Sequence, residues 1–173
     1  MNGARPAGKV TIFDDDHYYM APVIAVLLAR AGASVTYVTT TGSAAEWSHY
    51  TGEQERTQGQ LLELGIEVRV STALEGFDGS AVTLGCVYSG RQWQQRASTV
   101  VLVTSREPRE ELYRELVGEE PAGPAQNIQR IGDCRQPALI AHAVYSGHKA
   151  ARELDEGHEG PRAGRDRSVI HGD

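Results

Sequence analysis

The stretch that decides the fold is KVTIFDDDHYYMAPVIAVLLARAGASVTYVT, at residues 9–39. Lys9–Phe13 is a short apolar run with β-branched residues, which predicts a buried strand. Met20–Ala31 is rich in Ala and Leu, has a proline in its first turn and stops at Gly32, which predicts a helix. Ser34–Thr39 is a second β-branched run. A strand, a helix and a strand in this order predict a right-handed parallel crossover.

The next residues extend this unit into an α/β domain. We predict, in chain order, a helix at Glu53–Leu64, a strand at Ile66–Val70, an antiparallel hairpin of Ala81–Tyr88 with Gln92–Gln94, a strand at Thr99–Thr104 and a helix at Glu110–Val117. This order is typical of a Rossmann-like, FAD/NAD(P)-binding-type domain. We therefore expect three layers, with a parallel sheet and an inserted antiparallel hairpin.

A second, smaller segment follows a Pro- and Gly-rich loop at residues 118–126. Ile128–Ile131 is predicted as a strand and Pro137–Leu154 as a helix. The helix carries a stripe of apolar and small residues that is expected to face inward, namely Ile140, Val144, Gly147, Ala151 and Leu154. The predicted organisation is a disordered lead at 1–8, a degenerate NAD(P)-binding-like domain at 9–117, a closing strand and helix of a second dinucleotide-type domain at 127–155, and a disordered tail at 156–173.

Composition narrows the classes of protein. With 173 residues, 40% of them hydrophobic and 23% charged, the chain is typical of a globular domain. A net charge of −6 argues against nucleic acid or an anionic membrane as a partner. Cys86 and Cys134 lie far apart, whereas a structural zinc or a cysteine-ligated cluster needs about four ligands. We expect no metal or iron–sulfur cluster on this chain, no membrane segment and a cytoplasmic location.

Three segments together resemble a known family. They are Val10–Gly32 with its FDDDHYYM turn, TVVLVTSR at residues 99–106, and IGDCRQP at residues 131–137 followed by IAHAVYSGH. In their order and spacing they are similar to the C-terminal part of the trimethylamine, dimethylamine and histamine dehydrogenase family. That family is related to 2,4-dienoyl-CoA reductase within the NADH:flavin oxidoreductase group. The resemblance covers roughly residues 9–155.

The resemblance implies a function in a larger flavoprotein. Members of that family begin with a TIM barrel that carries FMN, continue with an iron–sulfur cluster and end with two dinucleotide-binding-like domains, which hold ADP in the amine dehydrogenases. This chain resembles only that last portion. It is therefore expected to be a separate subunit, a split-gene product or a truncated remnant, with a TIM-barrel FMN and iron–sulfur subunit as its partner.

The turn after the first strand lacks the glycines of a dinucleotide site. G-x-G-x-x-G lets the backbone approach a pyrophosphate at the helix N-terminus, but Asp14, Asp16 and Tyr19 occupy the three glycine positions. A carboxylate about 5 Å from a phosphate would oppose binding by roughly 3 kcal/mol. The acidic residue expected after the second strand is replaced by threonines at 39–41. NAD(P) binding is therefore not expected here.

The acidic run Asp14-Asp15-Asp16 has three further interpretations. Its oxygens could hold a divalent cation. It also resembles the acidic pocket of a receiver domain, although Ser71 and Thr72 stand where the phosphate-accepting aspartate should be. A purely structural interpretation is that the run caps the following helix and interacts with its dipole.

The turn Gly132-Asp133-Cys134 is the second candidate site. In related flavoproteins an aspartate here accepts hydrogen bonds from cofactor hydroxyls, and the resemblance assigns that role to Asp133 as half of an ADP or FAD site completed by a partner chain. The alternative is a tight turn in which Asp133 is a helix N-cap.

Three functions therefore remain open. The chain is a nucleotide-binding-like component of an amine dehydrogenase-like flavin oxidoreductase with no complete active site of its own. Alternatively it is an interaction module or remnant without a ligand, or a receiver-like protein with an acidic pocket.

Overall fold

A computed structural model describes residues 6–117 and 128–154, and these form two compact units, one ending at Ser105 and one beginning at Arg106. The first unit contains strands β1 Lys9–Asp14, β2 Ser34–Thr39, β3 Glu67–Arg69, β4 Thr72–Phe77, β5 Ala81–Cys86, β6 Gln92–Arg96 and β7 Thr99–Val103, with helices α1 Met20–Arg30 and α2 Gln54–Glu63. The second unit contains α3 Glu111–Val117 and α4 Ile140–Arg152.

The first unit has the predicted three layers. Its central sheet is parallel, in the order β3-β2-β1-β7, so β1 lies between β2 and β7. On one face, Val10 and Ile12 of β1 pack against α1 and α2. On the other face, Phe13 of β1 packs against the antiparallel strands. Alternation of side chains along β1 thus supplies both cores, as expected for a strand that is covered on each side.

The antiparallel layer is larger than the sequence indicated. It has three strands in the order β4-β5-β6, not a two-stranded hairpin, and β6 continues to Arg96. Strand β4 was missed because its sequence, TALEGF, has no apolar alternation, and its register with β5 shifts between Leu74 and Gly76. A bulge of this kind breaks the period-two pattern that identifies a strand.

Two other segments of the first unit differ from prediction. Glu46–Thr51 forms a 3₁₀ helix that follows Ala45 in a left-handed conformation, at φ 52°. The lead was expected to be disordered through residue 8, but the carbonyl of Gly8 accepts the Ser34 N–H at 2.8 Å. The predicted loop at 118–126 and the predicted tail at 156–173 lie outside the described residues.

In the second unit, α3 belongs with the residues that follow it. The Arg130 guanidinium forms an ion pair with Glu110 and lies 4.7 Å above the Tyr113 ring. The first unit therefore ends earlier than the predicted limit at residue 117. The strand predicted at Ile128–Ile131 does not form, although Ile131 is extended (φ −133°, ψ 161°), because no described residue provides a neighbouring strand for its backbone.

Helix α4 confirms the predicted helix but corrects the predicted burial of its stripe. Ile140, Val144 and Leu154 are 84%, 66% and 77% exposed. The pattern of α4 is amphipathic, yet the described residues leave this apolar face uncovered. No described helix is long and apolar enough to cross a lipid bilayer.

Adjacent leucines of α2 test the packing of the first unit. Leu61 is fully buried, whereas Leu62 is 58% exposed. We predict that Leu61→Ala lowers the free energy of unfolding by about 2–5 kcal/mol, because it removes buried methyl groups and leaves a cavity. The matched control Leu62→Ala should change it by less than about 0.5 kcal/mol. Urea unfolding measures both, and equal losses would contradict the assignment of this face to the core.

Candidate functional site

The carboxyl ends of the parallel strands are where an open α/β sheet binds its ligand. β1 ends at Asp14, whose side chain is completely buried. Its Oδ1 accepts the backbone N–H of His17 at 2.9 Å, and its Oδ2 accepts the hydroxyl of Tyr37. The Tyr37 hydroxyl oxygen in turn accepts the backbone N–H of Ala45 at 3.2 Å. One buried carboxylate therefore joins the turn after β1, strand β2 and the segment after β2.

Burial shifts the protonation of this pair. Loss of solvent raises the pKa of the Asp14 carboxyl, although the hydrogen bonds from Tyr37 and His17 oppose the shift. Burial also raises the pKa of Tyr37, and the neighbouring Asp14 charge and the hydrogen bond that Tyr37 donates to it add to that rise. Tyr37 therefore stays protonated and acts as the donor.

The backbone N–H groups at the start of the turn are already hydrogen-bonded within the protein. The N–H groups of Asp15 and Asp16 both reach the Val103 carbonyl at the end of β7, at 2.8 and 3.2 Å, and the His17 N–H is held by Asp14. A phosphate-binding turn would offer such N–H groups to its ligand. The Asp14 carboxylate, which was expected to oppose a phosphate here, instead lies buried in the protein and accepts the Tyr37 hydroxyl.

The segment after β2 fills the same edge. Thr39 is fully buried, and its hydroxyl lies 3.3 Å from His17 Nδ1 and 2.9 Å from the Thr41 hydroxyl. The His17 carbonyl accepts the Trp47 N–H at 2.9 Å. The threonines that replace a ribose-binding carboxylate thus close the crevice with internal hydrogen bonds. His17 takes part in this packing through its side chain and its backbone.

The acidic run does not cap α1. Tyr19 is the N-cap residue, it is 51% exposed, and neither a side-chain cap nor an acidic residue occurs in the first turn. The surroundings of Asp14 also bear on the cation and receiver interpretations. Asp14 is committed to Tyr37, and among the described residues no cluster of His, Cys, Asp or Glu is arranged to hold a metal ion.

The second candidate turn, Gly132–Cys134, is a short 3₁₀ segment. Gly132 has a φ of +57°, and its N–H is donated to the Ser146 hydroxyl at 2.8 Å. Asp133 is exposed, and its Oδ1 accepts the Ala138 N–H at 3.3 Å. Asp133 is not an N-cap, because Leu139 holds that position in α4. Cys134 is half-buried.

A cavity of about 500 Å³ adjoins this turn. Gly132 lines it, whereas Asp133 and Cys134 do not. Its cationic and polar lining includes Arg135, His142, Ser146 and Lys149. The residues at 142, 146 and 149 were not predicted, although their i, i+4, i+7 spacing places them on one face of α4. His148 lies off this face and is exposed.

The three-layer fold and the turn after β1 are those of a known class of α/β domain. A family model described as the OYE-like second alpha/beta domain matches residues 1–104, and the chain belongs to that family. Dimethylamine dehydrogenase of Hyphomicrobium sp. (strain x) is 34% identical over 177 aligned residues, which cover 89% of this chain and 24% of the relative. The predicted resemblance to the amine dehydrogenases is thereby confirmed.

Solved structures agree. The 6-hydroxypseudooxynicotine amine oxidase of Pseudomonas geniculata N1 is 41% identical, with a TM-score of 0.77, over 83% of this chain and 22% of its own. Histamine dehydrogenase from Rhizobium sp. 4-9 is 35% identical, with a TM-score of 0.78, and the match covers 92% of this chain and 24% of the dehydrogenase chain. The chain thus spans about a quarter of the length of these relatives.

Removal of the Asp14 carboxylate should destabilise the first unit. We predict that Asp14→Ala lowers the free energy of unfolding by about 2–4 kcal/mol, because the buried Tyr37 hydroxyl and His17 N–H lose their acceptor. Asp15 serves as the matched control. Its side chain is half exposed and lies 3.7 Å from His17 Nε2, so Asp15→Ala should cost less than about 1 kcal/mol. Equal losses in urea unfolding would remove Asp14 from this role.

The raised pKa of Asp14 predicts a pH dependence with a defined sign. The folded protein keeps the Asp14 proton above the ordinary pKa of 3.8, so the stability linked to this group is complete below that pH. It is lost as the pH rises through the folded pKa. The stability of the wild type relative to Asp14→Asn should therefore decrease on raising the pH from about 4. Urea unfolding of both proteins across this range measures it, and an increase would contradict the burial of the carboxyl.

Proposed function

We propose that this chain is the nucleotide-binding-like component of a flavin-dependent oxidoreductase that resembles the amine dehydrogenases. It has no complete active site of its own. It docks on a TIM-barrel subunit that carries FMN and the iron–sulfur cluster, and it contributes the Gly132–Cys134 turn to an ADP or FAD site. The observation that carries the proposal is the cavity at that turn, which has arginine and lysine residues in its wall. Helix α4 lines this cavity and has an uncovered apolar face.

The exposed face of α4 supports the partner. Ile140 and Val144 of α4 are 84% and 66% exposed, and Leu154, just after the helix ends, is 77% exposed. Burial of each such side chain is worth about 1.5–3 kcal/mol. A helix with this pattern is stable in water only at a cost, and docking on a partner would remove that cost. Relatives that are about four times longer have the additional chain to cover it.

The cavity at Gly132 supports the cofactor. Arg130, Arg135 and Lys149 bring positive charge to the lining for a diphosphate, and Glu153, the carboxylate of the lining, pairs with Lys149 at 3.9 Å. The volume of about 500 Å³ lies within the usual range of ligand sites. Asp133 stands exposed beside it, so its carboxylate could accept sugar hydroxyls once a partner chain completes the site.

The crevice at the carboxyl ends of β1 and β2 in the first unit is the place where a second nucleotide would bind, and its residues argue against one. Asp14, Asp16 and Tyr19 stand at the glycine positions, and the N–H groups of residues 15–17 are bonded internally. NAD(P) is therefore not expected there. Cys86 and Cys134 are free thiols, which suits a cytoplasmic protein.

Calorimetric titration with ADP and with FAD tests the proposal. We expect binding to the complex of this chain with its barrel subunit, and weaker binding to the chain alone. In the complex, Asp133→Ala should weaken binding about ten- to a hundredfold, because hydrogen bonds to a charged acceptor contribute about 1.5–3 kcal/mol. The control Asp15→Ala, in the turn of the first unit, should leave the affinity unchanged.

Two outcomes would count against this function. If Asp133→Ala and Asp15→Ala bind equally well, the Gly132 turn is not the site. If neither nucleotide binds the complex, the chain is an interaction module without a ligand.

A further inference from the structure

A separate cavity of about 450 Å³ lies in the first unit, beside the antiparallel strands. Its lining is Arg69, Cys86, Ser89, Arg91 and Trp93. These residues come from the end of β3, the end of β5, the turn between β5 and β6, and β6 itself. The lining shares no residue with the strand-end crevice or with the cavity at Gly132.

Two hydrogen-bond donors of this lining lack an acceptor. The indole N–H of Trp93 and the Nε of Arg69 are both buried and have no hydrogen-bond partner among the described residues. A buried donor left unsatisfied costs about 1–3 kcal/mol, so native proteins rarely keep one without a reason. Both residues line the cavity, so a ligand that enters it is a candidate acceptor for these donors.

The charge of the lining specifies that acceptor. It contains two guanidiniums, those of Arg69 and Arg91, and no carboxylate. Glu67, the nearest acid in sequence, pairs with Arg69 Nη2 at 2.5 Å, while its other oxygen accepts Thr36 and Gln95. Glu67 therefore balances the Arg69 guanidinium, and no carboxylate of the cavity lining balances that of Arg91. Guanidinium groups bind carboxylate and phosphate oxygens in a planar, bidentate manner.

The thiol in the wall is itself surrounded by hydrogen-bond donors. The hydroxyl of Ser89 and the backbone N–H groups of Ser89 and Tyr88 donate to the Cys86 sulfur and hold the pKa of the thiol below its usual range. Because the turn donors are already bonded to the sulfur, the donors left for a ligand are the two arginines and the Trp93 indole N–H.

We propose that this cavity binds a small ligand through an oxyanion group, a phosphate or a carboxylate, held by Arg69, Arg91 and the indole N–H of Trp93. The volume admits a ligand larger than the oxyanion itself, and the Trp93 ring provides an apolar surface for the remainder. The inference does not depend on the proposed flavin-linked function.

Protection of Cys86 is the direct test. The full chain is treated with iodoacetamide, a neutral reagent, in increasing inorganic phosphate, and in a second series in increasing acetate. Mass spectrometry follows Cys86 and, as an internal control, Cys134. We expect at least one anion to slow alkylation of Cys86 severalfold at millimolar concentration, with Cys134 unaffected. The anion that protects distinguishes phosphate from carboxylate recognition.

Matched variants separate binding from general effects of salt. Arg91→Gln and Trp93→Phe should each raise the anion concentration needed for half protection, by about tenfold, because each removes a donor. Arg96→Gln is the control, since Arg96 is an exposed residue at the end of β6 outside the lining. Sodium chloride at equal ionic strength sets the baseline for screening.

The results decide the proposal in either direction. Protection that is lost in Arg91→Gln and retained in Arg96→Gln supports the site. Absence of protection by both anions, or equal protection in the two arginine variants, overturns it. Arg91 is exposed at a turn, so its substitution keeps the test valid even if changes at Arg69 disturb the fold.

Discussion

The buried hydrogen bond between Tyr37 and Asp14 is the interaction on which the first unit depends. A carboxylate at the end of a central strand must have partners, because its desolvation is otherwise too costly. It finds them in the His17 backbone and the Tyr37 hydroxyl, and Tyr37 in turn fixes Ala45. The edge of the sheet where a dinucleotide would enter is consequently part of the core. The fold has kept its layers while its usual ligand position is filled from within.

The second unit has the opposite character. Its Gly132 turn adjoins an open cavity with Arg135 and Lys149 in the wall, and Asp133 remains exposed beside it. The side chains that would bind a nucleotide are therefore those of a short turn and one helix. Such a small set of residues cannot enclose a cofactor, which is why the nucleotide site is proposed as one that a partner chain completes.

Apolar side chains without a neighbour and buried donors without an acceptor both indicate a missing contact. Helix α4 has the amphipathic period of a packed helix, but Ile140 and Val144 remain exposed. The buried N–H donors of Arg69 and Trp93 likewise have no hydrogen-bond acceptor among the described residues. In both places the residues are arranged for contacts that the described chain does not itself supply. Apolar atoms require an apolar neighbour, and buried donors require an acceptor, which distinguishes a docking face from a ligand cavity.

The sequence by itself determined the helices, the parallel strands and the family, because strand and helix patterns and glycine stops such as Gly32 are short-range properties. It also excluded an ordinary glycine-rich phosphate turn. Only the tertiary structure decided what the acidic run does, since the partner of Asp14 lies 23 residues away on another strand. The register shift of β4 against β5 and the exposure of Ile140 and Val144 are likewise visible only in the tertiary structure. Composition fixes which groups need partners, whereas the fold fixes which partners they meet.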